Sequence, residues 1–312
     1  MPERIVLALG GNALGNSLIE QRLAVAEAAK PMADLIEAGH ELAICHGNGP
    51  QVGMIDLAFE TASRTVDSVH AMPLSTDGAM SQGYIGFGIQ KALYRELRER
   101  GIDKIAASIV TQVLVDPKDP AFADPSKPIG SFYTQEEAQA IMLADPSIIF
   151  REDAGRGWRR VVASPEPLEI IEIEVIRSMI NCGYIVIACG GGGLPVIKDG
   201  KGLLPFEAVI DKDFAGELMA ECIDASTLMI LTAVEQVAID FGTPAQRWLS
   251  QMSVEEAEAY AAQGHFAPGS MLPKVQAAVR FVRSAPGRKA LITSLARALD
   301  GIEGRTGTLV CA

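Results

Sequence analysis

The 312-residue sequence predicts a doubly wound α/β protein, with a buried parallel sheet between layers of helix. Three observations carry this prediction. Short, uninterrupted apolar runs recur along the chain, and the ones that open it lead into glycines. Segments with apolar residues at helical spacing fill the gaps. The chain is also long enough to bury a sizeable core, as one large domain or two smaller ones.

The elements follow in order. Ile5–Leu9 is the first apolar run and leads into Gly10, Gly11 and Asn12. Val25, Ala28, Ala29, Met32, Leu35 and Ile36 then keep helical spacing, and Gly39 stops that helix. Leu42–Cys45 leads into the loop HGNGP, which holds Gly47 and Gly49. Ile185–Ala188 leads into four consecutive glycines, Gly190, Gly191, Gly192 and Gly193. Leu228–Leu231 and Ala290–Thr293 are further strands, and Val275, Ala278, Val279 and Val282 mark a helix between them. Runs this continuous fit strands buried on both faces, as in a parallel sheet. Ligands of such folds bind beyond the C-terminal ends of strands, which is where the glycine loops fall.

One stretch, residues 116–167, breaks the rhythm. It is dense in proline, and Arg156, Arg159 and Arg160 cluster around Trp158. Its length exceeds a plain connection, so it predicts a lid or protruding subdomain inserted into a single domain, 1–312. A surface excursion without a catalytic role is the alternative.

Composition narrows the partners. Hydrophobic residues are 48% and charged residues 21%, ordinary for a globular protein, and the net charge is −12. A surface this acidic repels nucleic acid and anionic membranes. An anionic ligand would need cations gathered locally. The five cysteines lack CxxC spacing, which predicts reduced thiols and neither a disulfide frame nor a zinc site. The first apolar run is too short for a signal-peptide core, and no run approaches the ~20 residues of a membrane span. A cytoplasmic protein is expected.

Neither GxxxxGK[ST] nor a well-placed GxGxxG is present. Glycine loops at helix starts can still hold phosphate through outward-facing N–H groups and the helix dipole. Gly10–Asn12, Gly47–Gly49 and Gly190–Gly193 are three candidates, each also readable as a tight turn. Lys212 and Lys274 both stand at expected helix starts, where a cation faces the positive end of the dipole. A nearby anion would reverse that cost; a salt bridge to Asp211 or Asp213 is the plainer reading for Lys212, and a solvated helix face for Lys274. Lys127 is held between Pro125 and Pro128 and could close over a phosphoryl group. Asp213 can cap its helix or hold two lysines. His46 and His265 lie in glycine-rich loops without a nucleophile partner, so a hydrolase triad is unsupported and loop hydrogen bonding is expected.

Together these segments resemble the carbamate kinases of the amino acid kinase family. The resemblance spans essentially the whole chain. It rests on ALGGNAL (8–14), HGNGPQVG (46–53), GAMSQGYIG (78–86), VTQVLVDPKDPAF (110–122), KPIG (127–130), DAGRGWRRVV (153–162), GGGGLPV (190–196), AVIDKD (208–213), GHFAPGSMLPK (264–274) and RTGT (305–308).

The resemblance implies a three-layer sandwich around a mostly parallel sheet, a protruding lid and a homodimer. The implied reaction interconverts carbamoyl phosphate plus ADP with carbamate plus ATP, using Mg2+, and runs toward ATP in arginine catabolism. Gly10, Gly11 and Asn12 would lie at the phosphate-transfer centre, with Gly49 and Gly190–Gly193 on the carbamate side. Lys212 and Lys274 match the lysines that stabilise the transferring group, Asp213 their organiser, and Lys127 the lid lysine. The nucleotide side falls around Ala233, Val237 and Phe241 and around His265, Gly269, Ser270 and Met271. No protein side chain is assigned to the metal.

Two departures bear on nucleotide affinity rather than chemistry. Residues Ala233–Gln236 lack the Asp-x-x-Gly pattern of some relatives, and Thr243 stands where many have lysine. The alternatives are another acyl-phosphate kinase, such as an N-acetylglutamate kinase type with a larger pocket, and a catalytically silent binding protein on the same fold. If the missing side chains of the glycine run leave room for substrate, Gly191→Val should spare the fold and damage carbamoyl phosphate use more than ADP binding.

Overall fold

The computed structural model describes residues 2–10, 18–153 and 155–312. Gly11 and Asn12 lie outside the described residues. The first part of the chain builds β1 (Arg4–Leu9), α1 (Leu18–Glu37), β2 (Glu41–His46), α2 (Gly49–Ser63), α3 (Leu74–Glu99), β3 (Ala106–Ser108) and β4 (Gln112–Leu114). The middle builds β5 (Lys127–Tyr133), α4 (Gln135–Ala144), β6 (Ile149–Glu152), β7 (Trp158–Val162), β8 (Glu169–Ile170), α5 (Ile173–Asn181) and β9 (Ile185–Ile187). There follow β10 (Leu194–Asp199), β11 (Gly202–Pro205), α6 (Lys212–Cys222), β12 (Thr227–Thr232), β13 (Val237–Ile239), β14 (Arg247–Leu249) and β15 (Gln251–Ser253). The chain closes with α7 (Val254–Ala262), α8 (Met271–Ser284), β16 (Lys289–Ser294), α9 (Ala298–Ile302) and β17 (Thr308–Cys311).

Among the described residues the main sheet has eight strands, in the order β15-β17-β16-β12-β1-β2-β9-β3. Its pairings are parallel except β16 with β17. Successive side chains of a strand point to opposite faces. Ile5, Leu7 and Leu9 accordingly enter a core with residues of α1 and α3, while Val6 and Ala8 enter a second core with α5, α6 and α8. Helix, sheet and helix make three layers. The five apolar runs all became strands of this sheet, because continuous apolar sequence is what burial on both faces requires. Gly39 ends the α1 segment with φ +92°, a backbone conformation that favours glycine.

Three features depart from the sequence reading. The glycine run after β9 opens no helix: Gly190–Gly192 form a single 3₁₀ turn, and the chain continues as β10. A second sheet, β11-β10-β4-β8, lies beyond that turn. The sequence groups Arg156, Arg159 and Arg160 around Trp158, but in space the Arg156 and Arg159 guanidinium carbons lie 5.1 and 5.2 Å from the Phe132 ring centre.

Within residues 116–167, β5, β7 and β6 pair antiparallel, and α4 joins β5 to β6. Thr134 and Glu137 cap α4 reciprocally. This small sheet rests on α2, where a Cβ at Gly53 would lie 2.6 Å from Gly130 Cα. Val52, Leu74, Ile129 and Val162 form an apolar cluster between the two.

Candidate active site

Parallel pairing puts the C-terminal ends of β1, β2, β9 and β12 along one edge of the sheet. Gly10 follows β1, Asn48 and Gly49 follow β2, the glycine turn follows β9, and Ala233 follows β12. Asn48 starts α2 without a side-chain cap, and Ser270 starts α8 likewise. The first N–H groups of a helix have no partner within it.

The glycine turn is fixed by the protein itself. Cys189 takes φ +52°, and Gly191, Gly192 and Gly193 take φ +66°, +96° and +85°. A Cβ at Gly190 would lie 2.6 Å from the His46 ring. At Gly191, Gly192 and Gly193 it would run into the Asn48 side chain, the Ile210 carbonyl and the Val113 side chain. The space freed by the missing side chains is therefore occupied by neighbouring protein atoms, not reserved for substrate. Against the sequence expectation of free space, Gly191→Val would strain the backbone at φ +66° and displace the Asn48 side chain.

A buried polar network holds the same turn. Gln82 Nε2 donates to the carbonyls of Gly190 (3.0 Å) and Thr111 (3.2 Å), and Gln82 Oε1 accepts from Thr111 N (2.8 Å). Thr111 Oγ1 accepts from Cys189 N at 3.0 Å. Asn48 Nδ2 donates to Ser81 Oγ at 2.8 Å. A small pocket opens beside the turn, with Asn48, Ser75, Gly191, Leu194, Ala208 and Val209 in its wall.

Next to it stands a cluster of lysines and aspartates. Lys212 Nζ donates to Asp213 Oδ1 at 2.7 Å, and Lys274 Nζ donates to Asp213 Oδ2 at 2.9 Å. Lys127 Nζ, from β5, donates to Asp211 Oδ2 at 2.6 Å. Asp211 Oδ1 accepts from Asp213 N at 2.9 Å. The cap of α6 is therefore Asp211, and Asp213 is left free to bridge two lysines. The salt bridge read from sequence for Lys212 is present, with Asp213 as its partner.

Charge and burial act together at this cluster. Burial works to raise the Asp213 carboxyl, but Lys212 and Lys274 outweigh it and pull the pKa down to about 2. Burial works against the Lys212 ammonium, and Asp213 first among its neighbours reverses this, so its pKa is raised. Three lysines against two aspartates leave one net positive charge in a chain of net charge −12. His46 is fully buried, its Nδ1 lies 3.1 Å from its neighbour's carbonyl at Gly47, and burial pushes its pKa down to about 4. Burial lifts the Cys45 thiol to about 12. Neither serves as a base or nucleophile at neutral pH. Among the described residues, no group of three or more His, Cys, Asp or Glu is placed to hold a metal.

The residues expected on the nucleotide side divide. Ala233, Gly269 and Ser270 are exposed, and Met271 opens α8, which also carries Lys274. Phe241 is exposed and edge-on to Trp248, with ring centres 6.1 Å apart, beside a shallow pocket walled by Glu235, Gln236 and Trp248. His265 Nδ1 accepts from Asp240 N at 3.4 Å, which ties down a loop as expected. Val237 is fully buried in the core and offers no surface to a ligand, against the sequence expectation. Gly10 lies at the edge as expected, and Gly49 has open space where a Cβ would stand. Asn48, Gln82, Thr111 and Trp248 were not singled out from sequence, and Asp211 was named only as a partner for Lys212, whereas it meets Lys127.

A lysine-rich site at the strand ends of a three-layer α/β sandwich belongs to a phosphoryl-transfer class, and the comparisons agree. The profile of the amino acid kinase family matches residues 3–294, and the chain belongs to that family. It is 54% identical over 311 residues, covering the whole of both chains, to the carbamate kinase-like protein YqeA of Escherichia coli. It is 49% identical to the carbamate kinase of Clostridium perfringens, over 98% of this chain and 99% of that one. The solved carbamate kinase of Giardia lamblia bound to AMP-PNP superposes with a TM-score of 0.91 at 42% identity, over 99% and 98% of the two chains. Among the described residues no helix is long and apolar enough to cross a membrane.

Proposed function

We propose that this chain is a carbamate kinase, which moves a phosphoryl group between carbamoyl phosphate and ADP. The observation that carries the reading is the Asp213 clamp on Lys212 and Lys274, with Lys127 and Asp211 beside it. In the ATP-forming direction a terminal oxygen of ADP attacks the phosphorus. The bond from phosphorus to the carbamate oxygen breaks, and carbamate leaves as an anion. No general base is needed, which fits a site whose histidine is held neutral. The step calls for alignment and charge neutralisation, and Lys212 and Lys274 supply positive charge to the transferring group.

Lys127 is the lid lysine in this reading, and residues 116–167 are the lid of a single domain. Gly10, Gly11 and Asn12 belong to the transfer centre, and Ala233, Phe241 and Gly269–Met271 to the nucleotide side. Each of the four oxygens of Asp211 and Asp213 already accepts a hydrogen bond. Mg2+ would therefore enter with the nucleotide, held mainly through phosphates and water, and would offset charge on the phosphates. A cytoplasmic homodimer working in arginine catabolism completes the proposal. Ile19 and Leu23 of α1 and Phe87 and Tyr94 of α3, all exposed, support a subunit interface.

The test is a coupled assay of ATP formation from carbamoyl phosphate and ADP, with and without Mg2+. Brisk ATP formation is expected. Phosphorylation of a larger carboxylate instead, or no activity at all, overturns the reading.

A further inference from the structure

Below the small sheet β5-β7-β6, four charged residues surround the apolar cluster of Val52, Leu74, Ile129 and Val162. Three stand at a spacing that shares a side with a cluster member. Asp56 is four residues after Val52 on α2, and Asp77 is three after Leu74 on α3. Arg160 is two before Val162 on β7, and Glu207, in the loop that carries Val209 against the cluster, is near enough to act on Asp77. The four do not form a finished network. Asp77 is completely buried, and neither of its carboxylate oxygens has a hydrogen-bond partner. Arg160 is half-buried and, among the described residues, its side chain makes no hydrogen bond or ion pair.

A buried carboxylate without a partner is costly, because it has given up water for nothing. Asp56 and Glu207 only repel it. Arg160 is the cation among the groups that act on it. Arg160 also sits directly opposite Ile129 in the β5–β7 pairing, with Lys127 opposite Val162. Cross-strand partners share a face, so Lys127, Ile129, Arg160 and Val162 look down together on α2, α3 and the lysine–aspartate cluster.

We propose that Arg160 and Asp77 are a positioning pair, which closes when the small sheet settles toward α3 and so fixes Lys127 over the phosphoryl site. Arg160 acts on Asp56 as well, but Asp56 is only half-buried, whereas Asp77 is fully buried with both oxygens unpartnered and has more to gain from the contact. Burial first, then Asp56 and Glu207, lifts the unpaired Asp77 to about 6 against the pull of Arg160. This agrees with a group awaiting its counter-charge. The effect on Lys127 rests on the phosphotransfer reading; the pairing itself does not.

The test is native-state hydrogen exchange of the Lys127–Tyr133 amides in the full chain, with β1 and β12 as internal references. Asp77→Asn and Arg160→Gln are each expected to speed exchange in β5 about tenfold, and the double variant no more than the faster single one. Arg160→Lys should restore most of the protection, and Asp56→Asn should leave it nearly unchanged. In the ATP-forming assay kcat/KM for carbamoyl phosphate should fall in the same order, with the KM for ADP steady. Unchanged exchange in both single variants, a double variant about a hundredfold faster as the product of independent effects, or Asp56→Asn matching Asp77→Asn would each overturn the pairing. If Asp77→Asn failed to fold, the contrast between Arg160→Gln and Arg160→Lys would still decide it.

Discussion

Asp213 and Glu217 stand one turn apart on α6, both buried, and they titrate in opposite directions. Burial is the largest influence on each and raises both. Around Asp213 two lysines overturn it, and the carboxyl falls to about 2. Around Glu217 the next influence is Glu221, which accepts its hydrogen bond and repels its charge, and the carboxyl rises to about 9. Helix α8 packs along both and delivers a cation to each. Lys274 reaches Asp213, whereas Arg280 is engaged by Glu166 through two bonds of 2.6 and 3.0 Å and lies over the Phe214 ring. Burial makes a carboxylate sensitive; its partners decide the sign.

The widest separation between the two should appear in turnover. Lys212→Ala is expected to slow ATP formation about 10²–10³-fold, the scale of losing one transition-state charge contact. Asp213→Asn should slow it at least as much, because two buried ammonium groups lose their counter-charge. Glu217→Gln should leave the rate close to normal. Steady-state kinetics check all three, and a near-normal rate in Asp213→Asn would erase the distinction.

Stability against pH should then separate them by sign. Glu217 has a raised pKa, so its contribution is complete below about pH 4.5 and is lost as pH rises through about 9. Urea melts should show the wild type losing up to about 1.4 kcal/mol per pH unit from this group between about pH 4.5 and 9, a slope absent from Glu217→Gln. Asp213 has a lowered pKa, so its contribution is present above about pH 4 and is lost as pH falls toward 2. That acid limb is worth about 2 kcal/mol and should flatten in Asp213→Asn.

The smallest effect tests cause within the second site. Glu221→Gln should lower the Glu217 pKa by about one unit, seen as an earlier midpoint in the alkaline limb. An unmoved midpoint would assign the whole rise to burial.

The two sites also differ in how far they could be read from sequence. Lys212, Lys274 and Lys127 stood out because helix starts and flanking prolines are local signals, and the family resemblance gave them roles. Asp211 did not, since its value lies in meeting Lys127 from 84 residues away while capping α6. Gln82 and Thr111 were invisible for the same reason, Gln82 holding Gly190 from α3 and Thr111 holding Cys189 from the entry to β4. In the fold, five double-faced strands were legible as apolar runs. The edge strands β3 and β15, and β17 beside β15, were not, being short and only partly covered. The glycine run misled in one respect. Its signal, tolerance of unusual dihedrals and close approach, was real, but the approaching atoms are His46, Asn48, Ile210 and Val113.

That crowding sets terms for anyone reshaping the acceptor pocket. The turn is a fixed wall, since each of its four Cβ positions is already claimed. Room for a bulkier acceptor has to be cut from the rest of the pocket wall, to which Leu194 and Val209 contribute side chains. A library aimed at those two positions would explore acceptor size, while one aimed at the glycines would only sample unfolding.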